Sequence, residues 1–146
     1  MPISTPGFDA APYFTATLCV TKDPENGVRN MGTYRAALKA RDRLGVRMAS
    51  RLSGAGGYQH WLKYKARGEK MPAVVVLGAP PAITFTSTQK LPEHMDEFDV
   101  AGALAGSPMN VVKAKTVDLY VPAEAEIVIE GYIDTEWLEP EAPVGE

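Results

Sequence analysis

Proline and glycine interrupt this chain of 146 residues at short intervals, and this feature limits its possible folds most strongly. The sequence has 12 prolines and 13 glycines, which break helices and supply turns. Between them lie short runs rich in β-branched and aromatic residues or in alternating apolar residues, which are typical of strands. The predicted strands are 13–21, 31–40, 44–50, 73–77, 110–121 and 126–133. The pattern therefore predicts a mainly β fold rather than a helical bundle.

Two segments have helical patterns. In 58–67 the spacing i, i+3, i+4, i+7 is followed by Tyr58, Trp61, Leu62 and Lys65. Gly68 suits the end of that helix, and a strand–helix–strand crossover is possible around 58–77. The segment 96–104 predicts a second helix, whereas 82–88 is β-like by propensity but too short to assign. An antiparallel barrel or sheet with inserted helices follows.

The length corresponds to one domain. We predict that it occupies residues 1–133. Residues 134–146 contain five acidic residues and three prolines or glycines, and such a segment has little to bury. We expect it to be a flexible acidic tail.

Charge is unevenly spread along the chain. The net charge is -3, but residues 1–70 hold 12 Lys/Arg against 5 Asp/Glu, and residues 71–146 hold 3 against 13. Seven of the bases lie between Arg29 and Arg51. This cluster fits either an anionic ligand or a solvated face paired with the acidic half. A nucleic-acid binder is disfavoured by the pI near 5.4.

Cys19 is the single cysteine, so an internal disulfide and a cysteine-based zinc site are excluded. It lies in an apolar run and is predicted to be buried. The sequence has no signal peptide and no apolar stretch of membrane-spanning length, which predicts a cytoplasmic protein. No nucleophile-elbow or nucleotide-binding motif is present. His60 is predicted to pack or lie at the surface. The glycine-rich 53–57 could present backbone N–H groups to a phosphate.

Asn30 and Arg35 lie five residues apart in a predicted strand, NMGTYR. An amide oxygen is a hard ligand that suits Mg²⁺ or Mn²⁺, and a guanidinium suits a carboxylate. Taken alone, such residues are more often turn residues or surface charges.

Three ordered blocks resemble the UbiD family of prenylated-flavin-dependent decarboxylases. They are GVRNMGTYR (27–35), MPAVVVLGAPPA (71–82) and VVKAKTVDLYVPAEAEIVIEGYI (111–133). The stretch LPEHMDEFDVAGALAG (91–106) also resembles a segment of that family. The resemblance covers nearly the whole chain, but only the middle of a family member.

The resemblance implies a split β-barrel, like the FMN-binding flavin reductases, with two or three inserted helices. It implies prenylated FMN with Mn²⁺ or Mg²⁺ and a K⁺ ion. Asn30 and Glu97 would bind the metal, and Arg35 would be the catalytic arginine. The residues implied to contact the cofactor are Thr33, Tyr34, Arg35, Arg47, Met48, Ala49, Leu52 and Ser53.

Two departures from the family pattern matter. Many members place a metal-binding histidine in the loop after the strand, but here no histidine lies between Arg35 and His60. Either metal binding is weakened, or Asn30, Glu97 and the phosphate suffice. The family also uses a Glu-Arg-Glu trio, and we expect both glutamates to lie beyond this chain.

The implied function is that of a cofactor-binding component of a UbiD-like enzyme. The reaction would be reversible decarboxylation of an aromatic or α,β-unsaturated acid. We expect a larger partner subunit to supply the glutamates, or a homo-oligomer. The alternative is a non-catalytic flavin-binding or assembly subunit that stabilises a larger decarboxylase.

Overall fold

The structure is a computed structural model that describes residues 5–48, 54–92 and 94–141. Nine strands and three helices follow one another in the described residues. In chain order they are β1 (Tyr13–Phe14), β2 (Leu18–Lys22), β3 (Arg29–Thr33), β4 (Ala36–Ala40), β5 (Arg43–Val46), α1 (Gly56–Arg67), β6 (Met71–Leu77), α2 (Pro81–Thr86), α3 (Glu97–Ala105), β7 (Val111–Lys113), β8 (Tyr120–Pro122) and β9 (Ile127–Ile133). The prediction of a mainly β chain with a few helices is confirmed.

A four-stranded antiparallel sheet forms the centre, in the order β3-β2-β6-β9. Its middle strands, β2 and β6, are almost wholly buried. Because both faces of these strands are covered, each contains an uninterrupted apolar run, LCV in β2 and AVVVL in β6. This sheet is the platform from which β3 presents its residues.

Side chains alternate along β6, so each face of the central sheet packs against a different set of elements. Val74 and Val76 point to one face, where they pack with residues of α2, α3 and the β7–β8 hairpin. Met71 has the opposite parity and packs with Trp61 and Tyr64 of α1. The helix α1 therefore lies on one side of the sheet, with the other helices on the opposite side.

A second sheet, in the order β1-β4-β5, contains the hairpin that follows β3. Ala36 pairs with Val46, and an irregularity in the register lies between Leu38 and Ala40. A tight turn at residues 41–42 connects β4 to β5. Since β5 and β6 lie in different sheets, the crossover around 58–77 does not form within one sheet.

Three predicted strands differ from the structure. The predicted strand 110–121 is the two strands β7 and β8, because Ala114 N–H donates to the Leu119 carbonyl and closes a turn. Glu130 satisfies donors in that turn, including the Thr116 hydroxyl. The predicted strand 13–21 is divided into β1 and β2, and 31–40 spans β3 and β4.

The unassigned segment 82–88 begins in a helix, α2. Pro81 stands at its first turn, where the missing N–H of proline costs nothing. The hydroxyls of Thr86 and Ser87 donate to carbonyls of the preceding turn, and Ile83 is fully buried against the core. Tertiary packing therefore overrides the local β propensity.

Cys19 is completely buried, as predicted, and burial raises the pKa of its thiol to about 12. In the described part of the chain, no helix is long and apolar enough to cross a lipid bilayer.

Residues 134–141 contact the rest of the domain. The Trp61 indole N–H donates to the carbonyl of Asp134, and the Thr135 hydroxyl donates to the carbonyl of Glu69. The boundary at residue 133 stays a prediction, but this part of the predicted tail is held by hydrogen bonds.

Candidate functional site

A cavity of about 690 Å³ lies between β3, the start of α1 and the segment leading into α3. Four of the predicted site residues line it: Asn30, Thr33, Tyr34 and Glu97. The sequence separates Glu97 from Asn30 widely, and the packing of α3 against β3 brings them to the same cavity. The cavity has both polar and apolar walls, as small-molecule sites do.

Asn30 and Glu97 converge on one backbone donor, the N–H of Met31. Glu97 Oε2 accepts that hydrogen bond at 3.0 Å. With its carboxamide oxygen facing the backbone donors, Asn30 accepts from the same N–H at 3.3 Å and from Gly57 N–H at 3.2 Å. A carboxylate and an amide oxygen are therefore held close together at the cavity wall.

Burial controls the charge of Glu97. The residue is only 6% exposed, and desolvation raises the pKa of its carboxyl to about 7. The Met31 N–H and the Arg29 guanidinium pull the pKa down, whereas Asp96 pushes it up. Arg29 is itself neutralised by Asp96, at 2.5 Å, and stacks over Phe98. A cation at this position would favour the ionised carboxylate.

The first turn of α1 approaches the side chains of Asn30 and Tyr34 closely. A Cβ at Gly56 would lie 1.9 Å from the side-chain amide of Asn30, and one at Gly57 would lie 3.2 Å from the Tyr34 ring. The Tyr34 hydroxyl accepts the N–H of Gly57. Ala55, the residue preceding the helix, provides no side-chain cap. The positive end of α1 therefore opens on the cavity beside Asn30, an arrangement that favours an anion.

Arg35 and Arg47 meet elsewhere, at the carboxylate of Glu141. Arg35 donates through Nε and Nη2 to the two oxygens of Glu141, at 2.8 and 3.1 Å. Arg47 lies 3.2 Å from the same carboxylate. These contacts hold the pKa of the Glu141 carboxyl below its usual range, chiefly through the hydrogen bond from Arg35.

The remaining predicted cofactor contacts are only partly visible. Met48 packs against the cluster of Trp61 and Tyr64, and its sulfur lies 3.0 Å from where a Gly57 Cβ would stand. Ala49, Leu52 and Ser53 lie outside the described residues. The roles of these residues in binding a cofactor stay predictions.

Sequence reasoning missed two parts of the site. One is the segment 87–92, which lines the cavity and is fastened to β3 by a 2.7 Å hydrogen bond between Ser87 and Thr33. The other is Glu141, which was assigned to the tail. The repeated basic residues at 35, 39, 43 and 47 were the available signal, since a row of positive charges is favoured beside carboxylates.

His60 is buried rather than at the surface. Its Nδ1 lies 2.9 Å from the Thr21 hydroxyl, and its side chain borders the cavity. Among the described residues, no group of three or more His, Cys, Asp or Glu side chains could hold a metal ion. The pair of Asn30 and Glu97 nevertheless offers the hard oxygen ligands that Mn²⁺ and Mg²⁺ prefer, and a ligand phosphate would add further oxygens.

A family model and several solved structures are similar to this chain. A family model described as the UbiD 3-octaprenyl-4-hydroxybenzoate carboxy-lyase Rift-related domain matches residues 2–146. The UbiD-class enzyme HmfF from Pelotomaculum thermopropionicum, solved in complex with FMN, is 36% identical, with a TM-score of 0.90 over 98% of this chain and 31% of that chain. An evolved dimeric form of HmfF in complex with prFMN is 35% identical, with a TM-score of 0.91 over 99% of this chain and 33% of that one.

A vanillic acid decarboxylase from Sedimentibacter hydroxybenzoicus, in closed form, is 34% identical, with a TM-score of 0.78 over 85% of this chain and 27% of that chain. The chain thus spans about a third of the length of the solved structures that it matches. Together with the family model over residues 2–146, these likenesses show that the chain belongs to the UbiD family and carries its Rift-related domain.

Proposed function

We propose that this chain is the cofactor-binding component of a UbiD-like enzyme that reversibly decarboxylates an aromatic or α,β-unsaturated carboxylic acid without oxidation. Its cofactor would be prenylated FMN, held with Mn²⁺ or Mg²⁺ and with K⁺. Family membership supports this proposal, as do the similar structures solved with FMN and prFMN. When bound, the prenylated flavin would supply the covalent chemistry through which the substrate loses CO₂.

The observation that carries the proposal is the convergence of Asn30, Glu97 and the start of α1 on one cavity. The two oxygen ligands would suit a divalent cation, and the helix start would suit the phosphate of the cofactor. We infer that Thr33, Tyr34, Arg47 and Met48 contact the flavin, together with the undescribed Ala49, Leu52 and Ser53.

Arg35 is the proposed catalytic residue. Its guanidinium forms a two-pronged pair with a carboxylate in this structure, which is the interaction that a substrate carboxylate requires. A fixed positive charge at this position would orient the acid and stabilise charge that develops beside the cofactor.

Glu141 changes the expectation that every catalytic glutamate lies beyond this chain. Its carboxylate touches Arg35 directly, so the chain supplies one glutamate to the arginine itself. Because Arg35 lowers the pKa of Glu141, this carboxyl is ionised at neutral pH and can accept a proton. It can donate a proton only after acquiring one.

We also propose that the chain works in an assembly, with a larger UbiD-like subunit or with further copies of itself, in the cytoplasm. One similar structure is a dimeric form, which supports an assembly. The alternative is a flavin-binding or assembly subunit without catalytic activity. The lack of a histidine between Arg35 and His60 favours this alternative.

Native mass spectrometry of the protein purified anaerobically from its own host tests the proposal. We expect a heteromeric complex that carries the mass of prenylated FMN and a divalent metal. Reconstitution of Glu97→Gln should retain less metal, whereas Asp99→Asn, on the same helix but exposed, should retain the wild-type amount. A homo-oligomer that neither carries nor takes up flavin would contradict the proposal and the flavin-binding alternative.

A further inference from the structure

The hairpin of β4 and β5 presents four cations on one face. Arg35, Lys39, Arg43 and Arg47 recur at every fourth position. The N–H of Arg47 donates to the carbonyl of Arg35, so these two residues stand opposite each other. Lys39 lies at the irregularity of β4, but a Cβ at Gly45 would lie 3.0 Å from its side chain, so Lys39 shares the face of Gly45. Alternation along β5 places Arg43 and Arg47 on that same face. One pair of cations therefore lies at the open end of the hairpin and the other at its turn.

The segment 137–141 lies across this face. Its far end is the Glu141 carboxylate on Arg35 and Arg47. The rest of the segment makes four contacts with Lys39 and Arg43, the pair of cations at the turn. Lys39 Nζ lies 3.8 Å from Glu139 and donates to the carbonyl of Pro140 at 3.4 Å. Arg43 lies 3.7 Å from Glu139 and 5.3 Å from the centre of the Trp137 ring.

We propose that Lys39 and Arg43 hold Glu139 through ion pairs. This set of contacts, called the grip below, positions the Glu141 carboxylate against Arg35. Glu139 is then a positioning residue for the arginine, and it touches neither the cofactor nor the substrate. The role of Glu139 in catalysis rests on the proposed function. The grip itself is a property of the chain, which can be measured with no cofactor present.

The argument depends on several weak contacts acting together. A single exposed ion pair contributes little, because holding two long side chains in one geometry costs entropy. Here the ion pairs, the carbonyl contact and the ring contact all hold the same short segment, so ordering it for one contact orders it for the others. The pairing of Glu141 with Arg35 therefore does not have to offset the whole entropic cost of ordering the segment, because the other contacts offset part of it.

The pKa of the Glu141 carboxyl, followed by NMR in the cofactor-free chain, tests the grip. Its carboxyl faces Arg35, Arg47 and Lys39, which together hold the pKa low. The variant is Glu139→Gln, and the control is Glu136→Gln, which removes the same charge from the exposed residue just before the segment. Thermal unfolding and the amide spectrum confirm that each variant is folded.

The sign of the shift distinguishes positioning from simple electrostatics. Loss of a neighbouring negative charge by itself lowers the pKa of a carboxyl. Release of Glu141 from Arg35 and Arg47 raises it. We expect an upward shift in Glu139→Gln and none in Glu136→Gln. A pKa that falls or stays unchanged in Glu139→Gln would overturn the grip, whatever the outcome of flavin binding. An upward shift in a chain that binds no flavin would instead leave the grip standing and remove the proposed function.

Discussion

At the scale of single residues, Arg35 and Glu97 show how position determines chemistry. Both come from ordinary polar stretches, and neither stands out by composition. Arg35 directly precedes β4, and its guanidinium pairs with the carboxylate of Glu141. Glu97 begins a helix whose packing on β3 removes it from water. The same fold therefore pairs one charge with a carboxylate and buries another where ionisation is costly.

Substitution of Arg35 tests the proposed catalytic role. We expect Arg35→Gln to lower turnover in the assembled enzyme by roughly 10²–10³-fold, the usual cost of losing one donor to developing charge. The exposed Arg41→Gln is the matched control. Steady-state assays with thermal unfolding would check both variants, and wild-type turnover in Arg35→Gln would remove the assignment.

Glu97 should make the stability of the metal-free chain depend on pH. Its folded-state pKa, about 7, lies above the ordinary value of 4.5. The folded protein therefore holds the proton more tightly, and this contribution to stability is complete below pH 4.5 and lost as the pH rises through 7. Denaturant titrations at pH 5 and pH 8 should show that Glu97→Gln gains stability relative to wild type at the higher pH. A wild-type pH dependence in Glu97→Gln would contradict this explanation, and Asp99→Asn is the control.

At the scale of elements, the approach of α1 to β3 is the contact that forms the cavity. The helix starts with two consecutive glycines, and β3 presents Asn30 against them. A Cβ at Gly56 would force the carboxamide of Asn30 to move. The position of this side chain at the cavity wall therefore depends on the absence of a side chain at residue 56.

Gly56→Ala should consequently impair both the fold and the site. A Cβ 1.9 Å from the Asn30 amide must displace it, and overpacking of this kind typically costs about 1–3 kcal/mol. Denaturant unfolding and flavin titration would measure the two effects. Gly131→Ala is the control, because a Cβ there meets nothing within 4 Å. Unchanged flavin affinity in Gly56→Ala would show that the approach is unimportant for binding.

Elements with strong local patterns could be predicted from the sequence, and those decided by distant contacts could not. The apolar β6, the β9 strand and the helix α1 ending at Gly68 all follow from periodicity and end signals. By contrast, α2 depends on burial of Ile83, and the break between β7 and β8 depends on Glu130 meeting Thr116.

In the candidate site, too, some residues could be predicted from the sequence and others could not. The family resemblance identified Asn30 and Glu97, and the structure brings both to one cavity. Glu141 was missed because its segment is acidic and has no apolar periodicity, which resembles a solvated tail. Its partner Arg35 lies 106 positions away, a separation at which local patterns carry no information.

At the scale of the whole molecule, the two sheets differ in how they are supported. The central sheet has helices on both faces, and its inner strands are buried. The β4–β5 hairpin is more exposed along β5, and residues 137–141 reach it through ion pairs. The cavity is therefore bordered by the well-supported strand β3, whereas the pair of Arg35 and Glu141 lies beside the less strongly held hairpin.

Amide hydrogen exchange should reveal this difference. We expect the slowest exchange in β2 and β6, because their amides open only with global unfolding. The amides of β5 should exchange faster through local opening. Mass spectrometry of peptides from each element would measure the rates, and equal protection of β5 and β6 would show that the molecule opens as one unit.

The start of α1 also limits how far this protein can be stabilised by engineering. Ala55 provides no cap, the first turn has no acidic residue, and two glycines follow. A serine or aspartate at position 55 would ordinarily stabilise the helix by about 1 kcal/mol. Its oxygen would, however, take up a backbone N–H at the helix end that lines the cavity. Thermostable variants selected without the ligand would therefore tend to lose the anion site, so the weak helix start is a cost that accompanies binding.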